Sequence, residues 1–152
     1  MRILLIASAL FATAAVSSPV ERDGWVVMET RYSYQELIDR VKSAARANKM
    51  GVVTEAGPTE AAAARGVTIP GNRVIGVYNN IFAVRMLEAS ESAMIEAPIR
   101  FYVTEQEDGT ATLSYKTPSF IFSHYALESP EVMRIALDLD PIFESIAKTA
   151  AE

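Results

Sequence analysis

Residues 73–118, RVIGVYNNIFAVRMLEASESAMIEAPIRFYVTEQEDGTATLSYKTP, read as strand, turn, short helix, connector and hairpin. Val74, Gly76 and Tyr78 alternate with Ile75 and Val77, so both faces are largely apolar and the run reads as an interior strand. Asn79-Asn80 ends it, because Asn side chains bond nearby backbone N–H groups in turns and at helix N-caps. Phe82, Ala83, Met86 and Leu87 then recur at helical spacing. In the hairpin, Ile99, Phe101 and Val103 alternate with Arg100, Tyr102 and Thr104. Asp108-Gly109 predicts a two-residue type I′ turn, since both residues tolerate positive φ. Ala111, Leu113 and Tyr115 then alternate with Thr112, Ser114 and Lys116. The pattern is that of an antiparallel pair with one side packed and the other wet. Pro98 has no N–H and belongs at a strand start or on an edge.

Working outward, residues 25–31 (WVVMETR) read as a strand, with Trp25, Val27 and Glu29 on one face and Val26, Met28 and Thr30 on the other. Ser33 and Glu36 form a capping box, with Tyr32 and Leu37 at the staple positions of the helix that follows. Its apolar stripe is Tyr34, Leu37, Ile38, Val41, Ala44 and Ala45, and Gly51 is expected to end it as a left-handed cap. Residues 51–55 read as a short strand and 59–65 as a helical turn closed by Gly66. Beyond Pro118, Phe120, Ile121 and Phe122 form an apolar cluster before His124 and Tyr125. Ser129, Pro130 and Glu131 open a long final helix as cap, first residue and dipole partner. Asp140-Pro141 predicts a kink there, or a restart capped by Asp140. The order β-α-β-(short α)-β-(short α)-β-β-α gives an α+β class: a mostly antiparallel sheet with two principal helices on one face.

The chain of 152 residues is of single-domain length, and half of it is hydrophobic. Fourteen basic against 19 acidic side chains, with no Lys/Arg cluster, argue against nucleic acid or anionic lipid as a partner. The absence of cysteine excludes disulfides, thiolate metal sites and a cysteine nucleophile. Met1-Arg2, the apolar run from Ile3 to Val16 and the small residues around it read as a secretory signal peptide over residues 1–18. Small residues permit cleavage after Ala14 or after Ser17. The run falls short of the ~20 residues a spanning helix needs, so an uncleaved anchor is the weaker reading. Residues 19–152 are then one exported domain, periplasmic or secreted, with no membrane attachment after cleavage.

Arg73 to Asn80, Ala83, Met86-Leu87, Ala97-Pro98-Ile99-Arg100 and the Asp108-Gly109 hairpin together resemble the domain-of-unknown-function 302 family. Tyr115, Pro118 and His124 resemble its post-hairpin segment, and the likeness runs from about Val27 to Ala147. The family pattern has Asn-Pro at the strand end and Leu-Pro opening the hairpin; here Asn80 stands for Pro and Ala97 for Leu, which loosens the turn and trims a core contact. The resemblance implies an α+β fold similar to the TATA-binding-protein-like class, with helices on one face of a curved antiparallel sheet. It implies no established activity, and fold likeness confers no DNA binding.

His124, the only histidine, reads either as a general base or metal ligand, or as a hydrogen-bonded structural residue. Met28, Met86, Met94 and Met133 would be soft co-ligands, but no Cys or second His exists and no metal site is assigned. Glu105, Glu107 and Asp108 surround a turn, where charge is usually solvated. Ser33 and Ser129 are caps, and no nucleophile-elbow pattern is present. Asn79, Arg100, Tyr102, Tyr115, Lys116 and His124 form the candidate ligand-binding set, offering a cation and phenols to an anionic or aromatic small molecule. No cofactor is indicated. Three readings follow: a small-molecule-binding module with its pocket between sheet and helices, an enzyme using His124 with Tyr115 or Tyr125, and a protein that self-associates as a homodimer through its bare sheet face.

Overall fold

The computed structural model describes Val20 and residues 22–152; the expected signal peptide lies outside them. The elements are β1 (Trp25–Ser33), α1 (Tyr34–Ala47), β2 (Gly51–Ala56), α2 (Thr59–Ala63), β3 (Asn72–Tyr78), α3 (Asn80–Ala89), β4 (Ile99–Glu105), β5 (Thr110–Lys116), α4 (Pro118–Phe122) and α5 (Pro130–Ala151). Short 3₁₀ turns occupy Ser92–Glu96 and Ser123–Tyr125. The sheet order is β1-β5-β4-β3-β2, and every neighbouring pair is antiparallel. The α+β architecture expected from the alternation is the one observed.

Helices α1 and α5 bury their apolar stripes on one face of this sheet. Leu37, Ile38, Val41, Ala44 and Ala45 are buried on α1, and Val132, Ile135, Leu139, Phe143 and Ile146 on α5. From the sheet, Phe101, Val103, Ala111 and Leu113 meet them with no exposed surface. Phe143 stacks on Phe101 with ring centroids 5.0 Å apart, and Tyr115 closes the cluster at 5.2 Å from Phe101 and 6.0 Å from Phe143. Arg40 ties α1 to the last turn of α5. Its guanidinium lies 3.9 Å from the Tyr32 ring centroid and donates to the carbonyls of Ala150 at 2.6 Å and Thr149 at 3.0 Å, groups that a helix C-terminus leaves without intrahelical partners. Arg85 of α3 reaches Glu131 and Asp138 of α5 at 3.1 and 3.0 Å.

Several local expectations are corrected. The left-handed residue after α1 is Lys49 at φ 60°, while Gly51 opens β2. The hairpin has no two-residue type I′ turn. The Gly109 N–H donates to the Gln106 carbonyl at 3.0 Å, the Gln106 N–H to the Thr110 carbonyl at 2.8 Å, and only Gly109 has positive φ, at 82°. This is a right-handed turn closed by a left-handed glycine, held by the Asp108 carboxylate, which accepts from the Thr110 N–H at 2.9 Å and hydroxyl at 2.6 Å. Helix α5 runs unbroken through Pro141. Asp140 caps nothing there and instead accepts from the Ser119 N–H at 2.9 Å, at the start of α4. The cluster after Pro118 is itself a helix, capped by Thr117. Leu87, expected on the packed stripe of α3, is 52 % exposed.

The polar face of the hairpin is also less wet than its pattern implies. Thr112 and Ser114 are fully buried and Thr104 nearly so, although they alternate with core residues and point away from the helices. In the register, Thr112 stands between Glu29 of β1 and Thr104 of β4, and Ser114 between Val27 and Tyr102.

Tyr115 carries the pH dependence of this core. Burial, reinforced by the carboxylates of Glu144 and Asp140, pushes its phenol up to about 12. The folded state therefore holds the neutral phenol more firmly than the unfolded chain does, where the group titrates near about 10. This contribution is complete below pH ~10 and is lost as pH rises towards ~12. Denaturant midpoints at pH 9 and 11.5 should fall further for the wild type than for Tyr115→Phe; an equal fall would refute this assignment. Phe143→Ala should cost about 3–5 kcal/mol in urea unfolding at neutral pH, because it removes the ring on which Phe101 and Tyr115 pack.

Candidate functional site

With both principal helices on one face, the opposite face of the sheet is uncovered at its β1–β5–β4 end. There the register puts Trp25 opposite Lys116, Val27 opposite Ser114, and Ser114 opposite Tyr102. Tyr102 in turn faces Val74 of β3. These side chains share the outer face, and all but Val27 line a groove on it. After β5 the chain turns through α4 and the following 3₁₀ turn, bringing Phe120, Ile121 and His124 to its rim. Phe120 can lie there because residue 24 is glycine: a Cβ at Gly24 would stand 2.0 Å from the Phe120 ring. The cavity so enclosed has a volume of about 440 Å³.

Arg100 and Lys116 supply its positive charge. Both are exposed, and neither makes an ion pair with any described residue. The Lys116 ammonium sits 5.4 Å from the Trp25 ring centroid, and the Arg22 guanidinium 5.9 Å from the same ring. The only carboxylate among the described lining residues, Glu96, accepts from the Tyr125 hydroxyl at 2.9 Å. That bond, with the charge of Glu96 and Glu128 nearby, holds the Tyr125 phenol above its usual range. Tyr102 accepts a short hydrogen bond from the Asn72 amide. On the floor, the Ser114 hydroxyl is buried with no hydrogen-bond partner among the described residues. Thr112, two residues before it in the strand, is in the same state but does not line the groove. An unmet buried hydroxyl costs about 1–3 kcal/mol.

Four of the six candidate residues, Arg100, Tyr102, Lys116 and His124, meet in this groove. Tyr115 also borders it, but its ring belongs to the core cluster on the helix side of the sheet. Asn79 stands elsewhere. Its side chain accepts from the N–H groups of Ile81 and Phe82 and donates to the Lys49 carbonyl, which makes it the N-cap of α3. The space between sheet and helices beside Asn79 is an apolar pocket of only about 40 Å³. The cavity that gathers Arg100, Lys116 and His124 lies on the outer face, and a second, of about 340 Å³, opens between β1 and α5 without any of these three.

The imidazole of His124 packs edge-on to Phe120 at 6.1 Å and makes no hydrogen bond with a described residue. Tyr125 is engaged by Glu96, and Tyr115 is across the sheet, so neither pairs with it. No cluster of three or more metal-ligating groups occurs among the described residues. Trp25, Val74, Ser114, Phe120 and Ile121 complete the groove and were not in the candidate set. The phase of β1 put Trp25 on the face of Glu29 and away from Met28, the hairpin alternation put Ser114 on the face of Lys116, and Phe120 and Ile121 stood out as an apolar cluster before His124.

Comparison with known proteins agrees with this architecture. The family model described as "Domain of unknown function DUF302" matches residues 26–150. A crystal structure of an uncharacterized conserved DUF302 protein from Bacillus stearothermophilus superposes with a TM-score of 0.73 at 17% identity, covering 84% of this chain and 98% of that one. At that identity the likeness speaks for the fold alone. No curated protein matches the chain. A match over most of the length, on the fold just described, establishes that the chain belongs to the DUF302 family.

Proposed function

We propose that this protein is an exported binding module that takes a small anionic molecule into the groove on the outer face of its sheet. The observation that carries the reading is a cavity of about 440 Å³ bearing two cations, Arg100 and Lys116, that no described carboxylate neutralises. The volume falls within the ~300–1,000 Å³ typical of ligand pockets. The apolar walls of Trp25, Val74, Phe120 and Ile121 would lower the local dielectric and strengthen both charges' hold on an anion. Export rests on the composition of residues 1–18, and periplasmic or secreted placement follows from it. The net charge of −5 weighs against a nucleic acid, whose many phosphates require an extended basic surface, so the anion-binding reading rests on the local charge of the groove.

A thermal-shift screen of small anions, followed by calorimetry, tests the reading. A bound anion should raise the melting temperature saturably, by mass action. Arg100→Ala and Lys116→Ala should each weaken binding by about tenfold or more, since a charged hydrogen bond contributes about 1.5–3 kcal/mol. Binding that survives in the double variant, or a screen in which no anion stabilises the protein, would sink the reading. Light scattering that shows a dimer, which Arg100→Ala or Trp25→Ala returns to a monomer, would redirect the groove to self-association.

A further inference from the structure

We propose that the groove selects an aromatic carboxylate, its acid group held between Arg100 and Lys116 and its ring lying against Trp25; this rests on the anion-binding reading above. The first argument is electrostatic. The register that pairs Phe101 with Tyr115 carries Arg100 and Lys116 to facing positions one residue further on, on the same side of the sheet. Like charges directly opposed across two strands repel. No described carboxylate makes an ion pair with either, although Glu96 lines the same groove, and the Lys116 ammonium lies over the indole of Trp25 at 5.4 Å. An anion between the two strands relieves that repulsion and gives Arg100 the planar partner its guanidinium lacks. The guanidinium fork matches a carboxylate bidentately.

The second argument concerns the rest of the ligand. A bare inorganic ion would leave most of a cavity of about 440 Å³ unfilled. No glycine-rich loop lines the groove, so it lacks the cradle of backbone N–H groups that phosphate sites commonly use. What surrounds the cations is flat and aromatic: the Trp25 indole, the Tyr102 phenol, the Phe120 ring and the His124 imidazole. Such walls favour a planar ring, by offset or edge-to-face contact, over a flexible chain that loses more freedom on binding. Because Lys116 and Arg22 sit 5.4 and 5.9 Å from the Trp25 centroid, a ring placed against the indole has its acid group within reach of positive charge.

Trp25 is the only tryptophan in the chain, so its intrinsic fluorescence reports directly on the groove. Wild-type protein would be titrated with benzoate, naphthoate and indole carboxylate, with the corresponding amides, with aliphatic carboxylates of equal charge, and with inorganic phosphate. The expected result is saturable quenching by the aromatic acids, with amides, aliphatic acids and phosphate at least tenfold weaker. Arg100→Gln and Lys116→Gln should each weaken the aromatic acid at least tenfold and leave the amide unchanged. Both residues are exposed, and circular dichroism melts would verify that the variants fold. Aliphatic acids or phosphate binding as tightly as aromatic acids would overturn the aromatic assignment and leave the anion-binding reading standing. Amides binding as tightly as acids would overturn the role of the carboxylate. Absence of binding by any anion would overturn both.

Discussion

The stack of Phe143 on Phe101, closed by Tyr115, fixes where everything else can be. It joins the middle of the last helix to β4, the central strand of the sheet, and to β5 beside it. A single ring on each partner anchors a contact that α1 then extends through Leu37, Ile38 and Val41. Arg40 ties α1 to the end of α5, and the two helices form one layer. A five-stranded sheet has two faces, and this packing spends its helices on one. The other face must be finished by the side chains of the strands and by whatever connections pass over it.

That constraint explains the uneven character of the outer face. Towards the hairpin tip the short hydroxyl residues Thr104 and Thr112 are buried, Thr112 with no solvent contact. Towards the start of β4 and the end of β5, Arg100 and Lys116 are too bulky and too alike in charge to close over one another. The connection through α4 raises Phe120, Ile121 and His124 around them instead. Gly24 makes that crossing close, since any side chain there would occupy the space of the Phe120 ring. The concavity is thus a consequence of one-sided helix packing and a tight crossover, and its chemistry comes from four strands and one short helix. Glu96, from the turn before β4, accepts from Tyr125 and makes no ion pair with Arg100.

The sequence was informative where physics is local. Alternation in the hairpin placed Phe101, Val103 and Leu113 inward and Arg100, Tyr102 and Lys116 outward, as observed. Side-chain period 2 is a property of any extended strand and needs no knowledge of partners. Caps were equally legible: Ser33, Asn79 and Ser129 each accept from the backbone N–H groups that their helices leave free. The local errors arose where a tertiary contact competed. Asp140 looked like a new cap because it precedes proline, yet its carboxylate is drawn to Ser119 from another element. The Asp108-Gly109 pair suggested a turn of two left-handed residues, but Thr110 offers Asp108 two hydrogen bonds that hold a different turn.

Sequence alone therefore determined the order of the strands and of the principal helices, the core-facing residues of the hairpin and of α1 and α5, and the family to which the chain belongs. These depend on periodicity, on capping chemistry and on residues close together in the chain. Only the tertiary structure decided that Asn79 is spent on a cap while Trp25 and Ser114 join Arg100 and Lys116, and that the groove lies outside the sheet instead of under its helices. Those outcomes depend on strand register and on a crossover that brings residues 25, 100, 116 and 124 together. No spacing within a single segment encodes such a meeting, because its energy belongs to the packed whole.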